Sequence, residues 1–144
     1  ETCKKAGIQL CYHNHDFEFS QKLGEHSVYD IILQNTDPAL VIQQLDIGNM
    51  YNGGAKAMDW LQKYPGRFAS MHVKDEIKSE KGEMGGHYES TVLGNGVIGV
   101  KEVIDYGKKM GGTIHFIIEQ ESYQSKTPLE SVKEDLAMMK KWGY

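Results

Sequence analysis

Cysteine and proline are scarce, with two of the first and three of the second in 144 residues. So thin a supply excludes the disulfide framework of a small secreted module and a proline-rich extended linker. Long apolar runs are missing too. None approaches the ~20 residues that span a bilayer, so no membrane partner is expected. Positive charge is in deficit: sixteen Lys and Arg stand against twenty Asp and Glu, a net charge of -4. No local basic cluster makes up the difference, which removes the electrostatic footprint of a DNA- or RNA-binding protein. What remains, 40% hydrophobic and 25% charged, is the composition of an ordinary globular domain. A chain of this length is a single domain that buries roughly two-thirds of its unfolded surface. Cys3 and Cys11 read as small buried hydrophobes.

The chain opens on ETCKKAG, without a Met, and this run has the look of a last helical turn stopping at Gly7. The expectation is that the sequence begins inside an architectural unit, and the compartment is left open. Ile8 to His13 then reads as a strand. Ser27 caps a helix whose apolar positions are Val28, Ile31 and Ile32, closed by the turn Asn35-Thr36-Asp37-Pro38. Val41 to Leu45 is a second strand, Ala55 to Tyr64 a helix with Ala57, Met58 and Leu61 on one face, and Phe68 to Val73 a third strand. Lys74 to about Gly96 is polar and glycine-rich, a candidate active-site loop. Val100 to Met110 predicts a helix and Ile114 to Ile118 the last strand. Thr127-Pro128-Leu129-Glu130 starts a final helix with Leu129, Val132, Leu136 and Met139 at helical spacing. Four consecutive β/α units predict an α/β fold with a parallel sheet, half of a (β/α)8 barrel. A flavodoxin-like open sheet ranks second, because His13-Asn14-His15 stands where such folds place phosphate-binding glycines.

Four acid or imidazole side chains end the apolar runs: Glu18 in CYHNHDFEF, Asp46 in VIQQLDIGNM, His72 in RFASMHVKDE and Glu119 in IHFIIEQES. Parallel α/β folds place their chemistry at that edge of the sheet. An O,O,O,N set suits a divalent cation such as Mn2+, Mg2+, Co2+ or Zn2+. Asp16 competes with Glu18, and Glu121 with Glu119. Asp46 also fits a turn cap, and His72 a core histidine. His13 and His15 suit contacts to substrate hydroxyls or to the ligands of a metal, or a polar strand end. Lys74 and Asp75 suit substrate oxygens or a surface ion pair. Gly94-Asn95-Gly96 fits a turn better than a phosphate cradle.

The stretches YHNHDFEF, YDIILQNTDPAL, QLDIGN, YPGRFASMHVKD, GNGVIGVKEVI and IIEQESY, in that order, resemble the C-terminal half of the xylose isomerase-like TIM barrels, the sugar phosphate isomerases and epimerases. The resemblance spans essentially the whole chain. It implies a metal-dependent isomerase or epimerase acting on a ketose or keto-sugar derivative. Glu18, Asp46, His72 and Glu119 would hold one divalent metal, and Glu18 and Glu119 would exchange a proton through an enediolate. His13, His15, Asn49, Lys74 and Asp75 are the candidate substrate contacts. Asn49 stands where the epimerases carry a His, and lysines Lys74, Lys78 and Lys81 stand near where those enzymes have an Arg. A metal-dependent lyase, dehydratase or hydrolase of keto-inositols or keto-glycosides is the alternative, and a non-catalytic half-barrel the second. The partners expected are a small sugar, and either a second copy of the chain or a missing half-barrel to cover the open strand edges.

Overall fold

The computed structural model describes residues 1–80, 82 and 86–144. A helical turn, α1 (Thr2–Lys5), leads to strand β1 (Leu10–His13), and a second turn, α2 (Phe17–Ser20), leads to a small antiparallel ribbon of β2 (Lys22–Leu23) and β3 (His26–Ser27). Helix α3 (Val28–Gln34), strand β4 (Val41–Asp46), helices α4 (Ile47–Asn52) and α5 (Ala57–Lys63) and strand β5 (Ser70–Val73) follow. A hairpin of β6 (Asp75–Lys78) and β7 (Tyr88–Thr91) precedes α6 (Val100–Tyr106), which runs on into a π-helical turn, Gly107–Gly111. Strand β8 (His115–Ile118) and helix α7 (Pro128–Trp142) complete the chain.

The main sheet has the order β1-β4-β5-β8, every pair parallel. Spatial order follows chain order without reversal. That is the winding of a TIM-barrel-like α/β fold, whereas a doubly wound open sheet reverses at a switch point. Alternation along the strands divides the sheet's faces. Leu45, Met71 and Val73 point outward and are fully buried with Leu61, Phe68 and Ile104 beneath the helices. His13, Gln44, Asp46, Ser70, His72 and Ile117 point the other way, and Gln44 Nε2 donates to Ser70 Oγ across 3.1 Å on that inner face. The inner face is open in part: Asp46 and Ser70 are buried, whereas His13, Gln44 and His72 are half-buried. Ile117 is 43% exposed, and Cys11, expected to be buried, is exposed on edge strand β1, while Cys3 is half-buried.

Several helices turn differently from their apolar pattern. Helix α3 has its predicted cap, Ser27 Oγ accepting from the Asp30 amide at 3.2 Å, but it buries Tyr29 and Leu33 rather than the Val28 and Ile31 face. The largest ring wins the core. Tyr29 lies 4.7 Å from Phe19 and 5.2 Å from Trp60, centroid to centroid. Helix α7 has the full predicted capping box, with the Thr127 amide donating to Glu130 Oε2 at 2.9 Å. Its stripe, however, faces outward: Leu129 is 64% and Leu136 46% exposed, and only Met139 of the four is buried. The helix is turned instead to bring Asp135 inward, where it accepts the Leu93 amide at 2.8 Å.

The expected long loop after β5 holds the β6–β7 hairpin, whose polar Asp-Glu-Ile-Lys alternation hid it from the apolar-run signal. Lys81, one of the lysines noted above, lies outside the described residues. No helix among the described residues is long and apolar enough to cross a membrane.

Candidate metal centre

Asp46 ends β4 and at the same time caps α4, and its two oxygens divide those tasks. Oδ1 accepts the Asn49 amide at 2.7 Å, which satisfies a helix N-terminus. Oδ2, fully buried, takes no hydrogen bond among the described residues. It lies 3.6 Å from His72 Nδ1 and 4.0 Å from His13 Nε2. His72 is opposite Asp46 in register on β5, and its Nδ1 meets Glu119 Oε2 at 2.6 Å. Glu119 stands one residue past β8, its amide held by the Val73 carbonyl at 3.2 Å. The His13 and His72 rings are 4.7 Å apart. One ligand atom each from His13, Asp46 and His72 falls within 4.8 Å of the others. An orphaned buried carboxylate oxygen facing two imidazoles and a second acid is a setting that fits a divalent cation.

Asn14, which the sequence reading passed over, holds this arrangement in place. Its side chain is fully buried. Oδ1 accepts the Asp46 amide at 2.9 Å, and Nδ2 donates to the Asp46 carbonyl at 3.0 Å. It thereby clamps the backbone of Asp46 to the end of β1. A polar amide between two histidines at a strand end was the available signal. Asn49 joins the same knot, donating from Nδ2 to the Asn14 carbonyl at 3.4 Å.

Other expected site residues lie elsewhere. Glu18 is carried past the strand end by α2 and buried on the opposite side of the sheet. Its oxygens accept the Tyr12 hydroxyl at 2.8 Å and the His15 amide at 2.9 Å. Tyr12 precedes His13 on the strand and therefore faces the helix layer, with its ring 6.4 Å from Tyr29. The structure does not bring Glu18 to His13, Asp46 and His72. Burial, with the Glu18 carboxylate beside it, pushes the Tyr12 phenol up to about 12.

Asp75 does not open to the cleft either. Oδ1 accepts the amides of Glu76 at 3.0 Å and Ile98 at 3.2 Å, and Oδ2 those of Gly94 at 2.9 Å and Gly96 at 3.0 Å. The Gly94 and Gly96 amides are thus taken by a carboxylate of the chain itself, and the Asn95 amide by the Val92 carbonyl. His15 is exposed, its ring 5.1 Å from that of His13, and Lys74 is fully buried with its Nζ on Glu121.

The charges in the cluster shape one another. The neighbouring carboxylates of Asp46 and Glu119 raise His72 from its ordinary 6.5 to about 9, and the same imidazole draws Glu119 down to about 2. Burial pushes the Asp46 carboxyl up and the His13 imidazole down. The raised His72 stabilises the metal-free fold fully below pH 6.5, and that stabilisation is lost as pH rises through about 9. An ion must displace the same proton. At pH 7, Mn2+ binding is therefore expected to release close to one proton, read from calorimetric heats in buffers of different ionisation enthalpy. Binding without proton release at that pH contradicts the ligand role of His72.

A sequence profile of the xylose isomerase-like TIM barrels matches residues 1–142. Among curated proteins, the inosose dehydratase of Salmonella agona is 31% identical over 140 residues, covering 86% of this chain and 44% of that protein. The inosose dehydratase of Bacillus licheniformis is 28% identical over 131 residues, covering 84% and 43%. This chain spans less than half the length of those relatives. A crystal structure of a sugar phosphate isomerase/epimerase from Parabacteroides distasonis superposes with a TM-score of 0.76 at 26% identity, covering 94% of this chain and 46% of that one. A xylose isomerase domain protein from Planctomyces limnophilus shares the fold, with a TM-score of 0.67 at 19% identity over 96% of this chain and 46% of its own.

Proposed function

The chain belongs to the xylose isomerase-like TIM barrel family, and on that footing we propose that it carries a divalent-metal centre for isomerising or epimerising a ketose or other keto-sugar. The observation that carries this reading is the meeting of His13, Asp46, His72 and Glu119 at the carboxyl edge of adjacent parallel strands. These residues would hold the ion, with His13 in the place the sequence reading assigned to Glu18. When bound, the ion supplies Lewis-acid charge that polarises a substrate carbonyl.

Glu119, ionised at neutral pH, takes the proton from the carbon beside that carbonyl. The C–H electron pair moves toward the carbonyl oxygen and an enediolate forms. Return of the proton from Glu119 to the neighbouring carbon isomerises the sugar; inversion at the carbon needs a second proton, delivered by solvent to the opposite face while Glu119 keeps the first. His15, exposed beside His13, is placed to meet a substrate hydroxyl, and Asn14 with Asn49 keeps Asp46 aimed. The inosose dehydratases among the relatives support a second reading: loss of water from a keto-inositol, or of the leaving group from a keto-glycoside, through the same proton abstraction.

The four β/α units are read as the C-terminal half of a (β/α)8 barrel. Ile8, Leu10, Ile114 and Ile117, exposed on and beside the edge strands β1 and β8, are the surface that four further units cover. Those units come from the same polypeptide or from a second copy of the chain.

The test titrates Mn2+ into the protein by calorimetry and follows deuterium uptake from D2O into ketoses and keto-inositols by NMR, with the chain alone and joined to a complete barrel. One ion per chain and exchange beside the carbonyl are expected. Exchange accompanied by loss of water selects the dehydratase. Metal binding with no exchange in either form leaves the non-catalytic half-barrel, and absence of metal binding removes the reading.

A further inference from the structure

A cavity of about 300 Å3 opens among the helices α4, α5 and α6, and none of the residues that line it belongs to the metal cluster. Ile47, Ala57 and Val103 form its buried floor, each 5% exposed or less. Half-buried Tyr51, Met58 and Ile98 form the walls. The volume is at the lower end of small-molecule sites, enough for a single ring with a short chain. Its walls are held from outside. Tyr51 stands one turn after Ile47 on α4, and its ring meets that of Tyr88 on β7 edge-on at 5.0 Å. The Val97 amide donates to the Glu76 carbonyl at 2.9 Å, and the Ile98 amide to Asp75 Oδ1 at 3.2 Å. The cavity is therefore preformed, and a ligand that enters it does not have to order its walls.

One charged side chain belongs to this lining, and it is Lys56. It directly precedes α5, is exposed, and enters no ion pair among the described residues. An apolar lining with one cation at its rim is complementary to a ligand divided in the same way, an apolar body with one negative head. Tyr51 and Met58 favour an aromatic body, through edge-to-face and sulfur–ring contacts. Units added at the open edges β1 and β8 would leave this cavity free. Helices α5 and α6 connect β4 to β5 and β5 to β8, strands that are already paired.

We propose that this cavity is a binding site for a small arylalkyl monocarboxylate, its ring on Ile47, Ala57 and Val103 and its carboxylate on the Lys56 ammonium. The site is separate from the metal centre, and the assignment holds whether or not a metal binds there.

Phenylpropionate serves as the probe, with phenylpropanol as the uncharged control of the same shape. Titrated into the metal-free chain and followed by heteronuclear NMR, the acid is expected to saturate one site with a Kd of about 1 mM or below. The amides of Ala57, Ile98 and Val103 are expected to shift with it. Lys56→Met is expected to weaken the acid at least about threefold, the scale of an exposed charge pair, and to leave the alcohol unchanged. Met58→Trp, which fills the cavity, is expected to abolish binding of both. Lys56 is exposed, so its variant keeps the fold and decides alone if Met58→Trp does not fold. Absence of saturable binding, or an alcohol that binds as well as the acid, overturns the proposal. So does undiminished affinity for the acid in Lys56→Met or in folded Met58→Trp.

Discussion

Glu119→Gln is expected to lower deuterium uptake into a responsive keto-sugar by at least ~10²-fold, the usual scale of a general acid–base contribution. The amide keeps the size of the carboxylate and one oxygen for an ion, but it cannot accept the proton. In the present geometry Glu119 Oε2 lies 2.6 Å from His72 Nδ1 and the acid is held down to about 2, so the group is an anion throughout the neutral range. Two assays separate its roles. Mn2+ content, measured by plasma emission after dialysis, falls less than the exchange rate when the principal loss is the proton acceptor. Exchange that survives at saturating Mn2+ rejects Glu119 as the base. A parallel loss of metal and exchange makes it a ligand only.

Asp46→Ala and His13→Ala are each expected to lower Mn2+ affinity by more than ~100-fold, beyond the range seen when only an outer partner of a ligand is removed. Asp46 is the stronger case, because its buried Oδ2 faces both imidazoles and a substitution leaves them without the anion. Glu18→Gln is the informative contrast. Its carboxylate serves the Tyr12 hydroxyl and the His15 amide on the other side of the sheet. It is expected to cost about 1–3 kcal/mol of stability and to leave the metal isotherm essentially in place. Calorimetric titration of the three variants, with urea unfolding of each, makes the comparison. A Glu18→Gln protein that folds normally and loses its metal returns the site to the ligand set read from sequence.

The difference between those two ligand sets shows what a residue pattern can and cannot carry. That Asp46, His72 and Glu119 would lie together was legible because each directly ends or follows a strand, and parallel pairing then brings Asp46 opposite His72 and places Glu119 beside them. Glu18 was drawn in by the same logic, but Asp16 to Phe19 coils into a helical turn that carries it across the sheet. His13, read as a substrate contact, turns out to share the cluster because strand parity, not distance along the chain, decides which face a side chain takes. Asp75 and Gly94 to Gly96 each had a candidate role, and the structure spends them on one another.

Local chemistry therefore settled the four main strands and the helices that connect them. Hydrophobic periodicity, Ser27 and Thr127 as caps and Pro65-Gly66 as a stop are short-range signals, and every main strand appears where they point. The same signals settled which residue types reach the carboxyl edge. Tertiary structure alone decided which of them meet, which face of α7 is buried, and that Asn14 clamps Asp46 from 32 residues away. Those outcomes depend on rotation and register between distant segments. A buried hydrogen bond such as that of Asp135 to Leu93, or a ring such as Tyr29 among its aromatic neighbours, outweighs the modest preference of an apolar stripe. No window of local sequence contains that comparison.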